Sequence, residues 1–130
     1  MVRILLIEDN KYFREAFKGN FCDYFPWLVI EEAKDAEEAL DRIRENPPDL
    51  VFTDMRLPGM NGLQLIQKVK KDFPQLPIFM LTGYDLPEYR EAALQYGADG
   101  FFLKESLLWE KLEAFLVQYA RDNGNNLVRK

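Results

Sequence analysis

Five side chains that could handle a phosphoryl group follow apolar stretches at widely separated points of the chain. Glu8 and Asp9 follow the first stretch, Asp54 the third, Thr82 the fourth and Lys104 the fifth. If the three carboxylates share one crevice, they repel one another by roughly 4 kcal/mol per pair at about 4 Å and an effective dielectric constant near 20. A cation must then lie among them, and Mg²⁺, which prefers oxygen ligands, is the natural occupant.

These residue types suit phosphoryl transfer. Asp54 would be the nucleophile and form an acyl phosphate. The metal ion and Lys104 would neutralise charge on the phosphoryl oxygens, and the Thr82 hydroxyl would orient them. Taken alone, each residue has a simpler explanation as a helix-opening acid, a turn former or a solvated charge. The four strand ends together favour the functional interpretation.

Apolar stretches of about five residues alternate with amphipathic stretches along the chain. Strands are predicted at residues 2–7, 28–33, 50–53, 77–81 and 100–103, and the fourth helix at 85–96. The first, second, third and fifth helices are each predicted to face inward through one set of residues. In that order, the sets are Phe13, Ala16, Phe17, Asn20, Phe21 and Tyr24; Ala36, Ala39, Leu40 and Ile43; Leu65, Ile66, Val69 and Phe73; and Leu108, Leu112, Phe115, Leu116 and Tyr119. This alternation implies a parallel sheet with right-handed crossovers.

Local signals mark several helix boundaries. Pro26 is predicted to stop the first helix, and Asp35 with Glu38 has the spacing of a capping box that opens the second. Gly97 is placed to end the fourth helix, and Ser106 to cap the fifth.

The predicted fold class is α/β: a doubly wound, flavodoxin-like parallel sheet of five strands in the order 2-1-3-4-5, with five helices. Its switch point lies between the first and third strands, where ligands collect beyond the carboxyl ends of the strands. This order brings Glu8, Asp9 and Asp54 together, with Thr82 and Lys104 on the neighbouring strand ends.

Composition narrows the class of protein further. A chain of 130 residues with 48% hydrophobic and 30% charged residues suits one globular domain, predicted at residues 1–121 with a polar tail or linker stub at 122–130. The absence of histidine excludes the usual catalytic triads and histidine-based zinc sites. The single cysteine, Cys22, is predicted to be a buried structural thiol.

Charge and hydropathy indicate the surroundings of the protein. A net charge of −5 argues against strong nucleic-acid binding by this segment. The apolar stretches are too short to cross a bilayer, and the first residues lack the pattern of a secretory leader. We therefore expect a cytoplasmic protein without a membrane partner.

Four segments resemble the receiver domain of two-component response regulators. They are Ile-Leu-Leu-Ile-Glu-Asp-Asn at 4–10, Asp-Leu-Val-Phe-Thr-Asp-Met-Arg-Leu-Pro-Gly-Met-Asn-Gly at 49–62, Pro-Ile-Phe-Met-Leu-Thr-Gly at 77–83 and Gly-Ala-Asp-Gly-Phe-Phe-Leu-Lys at 97–104. The second segment is highly specific, and the others agree in order and spacing. The resemblance covers residues 2–119.

The resemblance implies that Asp54 accepts a phosphoryl group from a phosphohistidine of a sensor histidine kinase or a histidine phosphotransfer protein. Mg²⁺ would be held by Asp9, Asp54 and the backbone carbonyl of Arg56, while Glu8 contributes mainly through water. Such a domain is a signalling switch that catalyses only its own phosphorylation and dephosphorylation.

The resemblance also implies a conformational switch. Thr82 and Lys104 would contact the phosphoryl oxygens, and Phe101 matches the position of the switch aromatic. Movement of Thr82 toward the phosphate would vacate space into which Phe101 turns. This would reshape the face of the fourth helix, fifth strand and fifth helix, where an output domain, a partner protein or a second copy of the chain would dock.

Several residues depart from the family pattern. Gly83 replaces the usual alanine and should loosen its loop, and Phe101 lacks the hydroxyl of the more frequent tyrosine. Glu105 stands where proline is frequent, so a trans peptide is expected before it. Arg56 and Tyr84 occupy positions that tune hydrolysis of the acyl phosphate, and their size predicts slow self-dephosphorylation.

Three other functions stay open at this point. A pseudo-receiver would act as a phosphorylation-independent interaction module, although the complete set of acidic residues, Thr82 and Lys104 argues against it. A metal-dependent hydrolase would need a second acid or base near Asp54, but the loop carries Arg56 two residues on. Flavin binding is disfavoured because Glu8 and Asp9 would repel the phosphate.

The output of the protein is the least determined feature. No helix-turn-helix or catalytic motif follows residue 119, which suggests either a stand-alone regulator or the first part of a longer one. The lack of proline after Lys104 and the stretch at 29–40 are similar to the subfamily that carries a DNA-binding helix-turn-helix.

Overall fold

The computed structural model describes residues 2–22, 25–83, 86–105 and 108–123. Its elements are β1 (Val2–Ile7), α1 (Lys11–Phe21), β2 (Leu28–Ala33), α2 (Ala36–Glu45), β3 (Leu50–Asp54), α3 (Gly62–Asp72), β4 (Ile78–Thr82), α4 (Pro87–Gln95), β5 (Gly100–Leu103) and α5 (Leu108–Asn123). The strands form one parallel sheet in the order β2-β1-β3-β4-β5. The predicted fold class and strand order are confirmed.

Alternate residues of each central strand point into two separate hydrophobic cores. Leu5 and Ile7 point to the layer of α2, α3 and α4, while Ile4 and Leu6 point to the layer of α1 and α5. Because both faces are covered by helices, the strands read as continuous apolar runs.

The layer between the sheet and α1 and α5 is aromatic. The ring of Phe17 lies 5.8 Å from that of Phe52, and the ring of Phe79 lies 4.9 Å from that of Phe115. Trp109 joins this layer 6.1 Å from Phe17. These edge and tilted contacts fill the space between two helices and the sheet.

Helix α1 presents a narrower buried stripe than its sequence pattern predicts. Phe17 and Phe21 are buried, but Ala16 and Asn20 are exposed. An i, i+3 neighbour is rotated by about 60° around a helix, and the aromatic ridge at i, i+4 spacing, Phe13, Phe17 and Phe21, contacts Trp109 of α5. The helix ends at Phe21, well before Pro26, so the prediction that proline stops it is wrong.

Other helix predictions hold in the described residues. All four predicted inward positions of α2 are buried, and so are three of the four in α3, whose C-cap Phe73 is half-buried. In α5, Leu112 and Leu116 are buried and Phe115 and Tyr119 are half-buried. The predicted positions Tyr24 and Ser106, and the side chain of Leu108, lie outside the described part.

Three helix termini show how the sequence sets the boundaries. Asp35 caps α2 by accepting a hydrogen bond from the Glu38 backbone N at 2.8 Å. Asn61 and Gln64 form a reciprocal capping box at α3, a signal that the sequence analysis did not use. Gly97 follows α4 with φ of +107°, the left-handed conformation that favours glycine.

Helix α5 extends further than predicted. It continues to Asn123, so residues 122 and 123 belong to the helix and not to the predicted polar tail, while residues 124–130 lie outside the described part. Asn123 Nδ2 donates to the Tyr119 carbonyl at 3.0 Å, and this bond ties its polar side chain to the last turn.

The environment of Cys22 differs from the prediction of a buried thiol. Cys22 is half-buried at the edge of the aromatic layer. None of the helices in the described ranges is both long and apolar enough to cross a bilayer.

Candidate functional site

Strand pairing places the chemically active residues side by side at one edge of the sheet. Ile7 pairs with Thr53, so the following residues, Glu8 and Asp54, continue from adjacent strands. Asp54 pairs with Leu81, one residue before Thr82. Thr82 in turn pairs with Leu103, one residue before Lys104.

The three carboxylates form one acidic cluster. Each of Glu8, Asp9 and Asp54 offers an oxygen within 4.8 Å of the others. Glu8 is only 1% exposed, Asp54 is half-buried and Asp9 is exposed. The cluster therefore grades from a buried side to a solvent-facing side, where a ligand has access.

Lys104 lies among these acids. Its Nζ donates a hydrogen bond to Glu8 Oε1 and lies 3.3 Å from Asp54 Oδ2. The Lys104 backbone N donates to the Thr82 carbonyl at 2.7 Å. The lysine is thus anchored at the end of β4, with its ammonium group turned into the acidic cluster.

The buried position of the Glu8 carboxyl carries an electrostatic cost. Burial raises its pKa above the ordinary value of 4.5, the hydrogen bond from Lys104 opposes this, and the Asp54 charge adds to the increase. A buried carboxylate is costly unless it is paired. Lys104 is the partner that compensates for this cost.

Two residues that the sequence analysis did not single out support Glu8. The Asn10 backbone N donates to Glu8 Oε2 at 3.1 Å. Arg14 Nη1 donates to the Glu8 carbonyl at 2.6 Å. Both residues lie at the start of α1. The spacing of apolar residues along a helix does not indicate that its first residues contact the end of the preceding strand.

Asp54 is held in a fixed orientation. Its Oδ1 accepts a hydrogen bond from the Met55 backbone N at 2.8 Å, while Oδ2 faces Lys104. The Thr53 hydroxyl donates to the Asp54 carbonyl at 2.9 Å. One carboxylate oxygen is therefore bound by the backbone and the other is turned toward the cation.

Gly62 lets the loop after Asp54 fold tightly against the end of β3. Its backbone N donates to the Met55 carbonyl at 2.8 Å, and a Cβ there would lie 2.2 Å from the Asp54 carbonyl oxygen. Only glycine permits so close an approach. The first residue of α3 therefore helps to fix the backbone of Asp54.

The remaining predicted residues lie around this centre. Thr82 is buried, Phe101 is half-buried and Arg56 is exposed. The guanidinium carbon of Arg90 in α4 lies 5.2 Å from the Phe101 ring centroid. Tyr84 lies outside the described residues.

Two of the departures from the family pattern, Glu105 and Gly83, lie in described loops at the strand ends. The peptide before Glu105 is trans, as predicted. A Cβ at Gly83 would meet no atom within 4 Å, so no close packing demands glycine there.

The donor set of the acidic cluster fits a hard divalent cation. Glu8, Asp9 and Asp54 supply only carboxylate oxygens, which are the ligands that Mg²⁺ prefers, with waters completing the shell. A bound Mg²⁺ would lower the repulsion that the carboxylates exert on one another.

Fold and site together define a doubly wound α/β protein with an acidic pocket at its topological switch point, flanked by a buried threonine and a lysine. The match to the family model described as response regulator receiver domain covers residues 4–114. The chain belongs to this family of two-component systems.

Individual relatives and solved structures extend this comparison. The response regulator MprA of Mycobacterium sp. (strain KMS) is 34% identical over 126 residues, which are 95% of this chain and 54% of the relative. The two-component response regulator of the LuxR family from Aurantimonas sp. SI85-9A1 has a TM-score of 0.82 and 28% identity, covering 92% of this chain and 86% of that one. The chemotaxis response regulator CheY4 of Vibrio cholerae has a TM-score of 0.79 and 26% identity, covering 91% and 98%. This chain spans about half the length of the curated relatives that it matches.

Replacing Gly62 tests the tight packing at Asp54. In Gly62→Ala, the new methyl group would overlap the Asp54 carbonyl, so we expect the free energy of unfolding to fall by about 1–3 kcal/mol. The matched control is Gly19→Ala in the exposed part of α1, where a Cβ meets nothing and should stabilise the helix by about 0.5–1 kcal/mol. Urea denaturation measures both, and equal effects of the two substitutions would refute this role of Gly62.

The raised pKa of Glu8 predicts a pH-dependent stability in Mg²⁺-free buffer. Because its folded pKa lies above 4.5, the folded state keeps a proton that the unfolded state releases between the two pKa values. The free energy of unfolding should therefore fall as the pH rises through that window. Glu8→Gln should remove this part of the slope, whereas Glu45→Gln on the exposed end of α2 should not. Urea denaturation at a series of pH values tests this, and parallel profiles for wild type and Glu8→Gln would contradict it.

Proposed function

We propose that the protein is a phosphorylatable switch in which Asp54 receives a phosphoryl group from a phosphohistidine of a sensor histidine kinase or a histidine phosphotransfer protein. The observation that supports this most directly is the position of the Asp54 carboxylate. It lies within a metal ion's reach of Glu8 and Asp9 and 3.3 Å from the Lys104 ammonium. Nucleophile, candidate metal ligands and charge-neutralising cation therefore share one pocket.

The transfer follows from the orientation of Asp54. One of its oxygens attacks phosphorus and forms a P–O bond, while the P–N bond of the phosphohistidine breaks and its electron pair returns to the imidazole. Oδ1 is hydrogen-bonded to the Met55 backbone, so Oδ2 is the oxygen favoured for attack. The fixed carboxylate removes much of the orientational cost of the reaction.

Mg²⁺ would be held by Asp9, Asp54 and the backbone carbonyl of Arg56, with Glu8 acting mainly through water. When bound, it would neutralise charge on the carboxylates and the phosphoryl oxygens. Glu8 would then keep two roles, since the same carboxylate holds Lys104 in the pocket.

Lys104 would stabilise the phosphoryl group through its ammonium group. Its contacts with Glu8 and Asp54 come from a flexible side chain whose backbone is fixed to the Thr82 carbonyl. A small movement would transfer the ammonium group from a carboxylate to a phosphoryl oxygen. The Thr82 hydroxyl, on the neighbouring strand end, would orient another of these oxygens.

The response to phosphorylation would pass to the face of α4, β5 and α5. Phe101 lies half-buried on β5 beneath Arg90, a position from which its ring could turn inward when Thr82 moves. Leu94 of α4 is 53% exposed, and this apolar surface supports docking of an output domain, a partner protein or a second copy of the chain.

The catalytic activity in this proposal is limited to phosphorylation and dephosphorylation of the chain itself. The chain spans about half the length of curated relatives, which supports control of an output that lies outside these residues. A pseudo-receiver with a constitutive interaction surface is the competing function.

Phosphorylation with a small donor distinguishes these two functions. Incubation with acetyl phosphate and Mg²⁺ should add one base-labile phosphoryl group to the wild type, measured by intact-protein mass spectrometry. Asp54→Asn should add none, because the amide is a poor nucleophile. Asp41→Asn on the exposed face of α2 changes charge equally and should leave phosphorylation intact. No adduct on the wild type would favour the pseudo-receiver, while continuous release of phosphate over many turnovers would favour a hydrolase.

The acyl phosphate should persist well beyond seconds once the donor is removed. The Arg56 side chain, and that of Tyr84, are proposed to hinder the attacking water. Truncation of both to alanine should therefore accelerate hydrolysis several-fold, whereas Arg44→Ala on α2 should not. Loss of the phosphoryl group from the wild type within seconds would overturn this proposal.

A further inference from the structure

We propose that Phe13 is a positioning residue that holds the Lys104 ammonium in the acidic pocket, an inference that rests on the proposed function. The Lys104 Nζ lies 4.3 Å from the centroid of the Phe13 ring. This distance is well within the range in which the face of an aromatic ring attracts a cation. Phe13 comes from α1, and its ring lies beside the ammonium group of this lysine.

The need for such a contact follows from the other partners of Lys104. Its ammonium is held by Glu8 and Asp54, and both carboxylates belong to the cluster that would hold Mg²⁺. A divalent cation among them would repel the ammonium and compete for the same oxygens. The ring face attracts a cation but is no ligand for Mg²⁺. Phe13 would therefore keep Lys104 in place when the carboxylates coordinate the metal ion.

The Phe13 ring is itself held from two sides. It stacks on Trp109 of α5 at 5.6 Å with an interplanar angle of 27° and lies 6.3 Å from the ring of Phe17. Its backbone N donates to the Asn10 side chain at the helix N-cap, at 3.2 Å. A ring fixed by neighbouring rings and by a cap provides a preorganised position for the ammonium.

The same stack gives a spectroscopic readout, because Trp109 contacts the ring that contacts Lys104. The ring of the other tryptophan, Trp27, lies 5.1 Å from the ring of Phe25, measured between centroids. Trp27 comes just before β2, so it lies at the amino-terminal end of the parallel strands, opposite to the pocket. In a Trp27→Phe background, the emission of Trp109 should change when beryllofluoride and Mg²⁺ occupy the pocket. The change should be lost in Phe13→Leu.

The decisive experiment varies the electrostatics of the ring while nearly preserving its shape. Replacement of Phe13 by pentafluorophenylalanine reverses the charge distribution of the ring face. It should lower kcat/KM for acetyl phosphate by about two- to tenfold, as expected for the loss of a cation–π contact. Phe13→Tyr keeps a negative ring face and should retain the rate. The Kd for Mg²⁺ should not increase in either variant. General damage to the pocket would instead lower both the kcat/KM for acetyl phosphate and the affinity for Mg²⁺.

A double-mutant cycle assigns the effect to Lys104. In a Lys104→Gln background the ring has no cation to hold, so the fluorinated residue should cause no further loss. An equal loss with and without Lys104 would overturn the proposal. So would an unchanged kcat/KM for the fluorinated protein.

A measurement without phosphorylation separates this inference from the proposed function. The ε-methylene protons of Lys104 should show an upfield ring-current shift in the NMR spectrum, with and without Mg²⁺, and Phe13→Leu should abolish it. A wild type that shows this shift but takes no phosphoryl group would disprove the proposed function and support the placement of Lys104. A wild type that is phosphorylated but shows no shift would refute the role of Phe13.

Discussion

The burial of the Glu8 carboxylate beside Asp54 is the constraint around which this structure is arranged. Two acids of adjacent strands, one of them 1% exposed, repel each other and lose hydration. The chain offsets this with the Lys104 ammonium from the end of β5. Among the described residues the pocket holds three carboxylates and one ammonium group, a charge balance that suits a divalent cation.

The backbone provides the precision that this charge balance requires. Lys104 is tied to the Thr82 carbonyl, Asp54 to the Met55 amide, and the loop of Asp54 to Gly62. These bonds lie at the carboxyl ends of strands whose register is set by a core buried on both faces. Side chains that lie on a rigid sheet edge need little reorganisation to reach a reactive geometry.

An aromatic layer connects this edge to the outer helices. Phe13 lies between the Lys104 ammonium and the indole of Trp109, and the layer continues through Phe17 to Phe52 on β3. On the other side of the sheet, Phe101 lies beneath Arg90 of α4. Both faces of the sheet therefore carry an aromatic ring with a cation above it, one beside the acidic pocket and one on the proposed output face.

Strand and helix identity, strand order and the residues of the acidic cluster were all predictable from sequence. Buried parallel strands produce continuous apolar runs, and the alternation of elements leaves few topologies. Residues at strand ends must then meet at the switch point. Prediction succeeded here because each signal is local and the fold combines them by simple rules.

The tertiary structure alone decided which side chains meet across elements. The exposure of Ala16 and Asn20, and the extension of α5 to Asn123, depend on how the helices pack. The contact of Phe13 with Lys104 joins α1 to the end of β5. Periodicity indicates that a residue faces inward but not which neighbour it meets there, because that depends on the relative placement of elements distant in sequence.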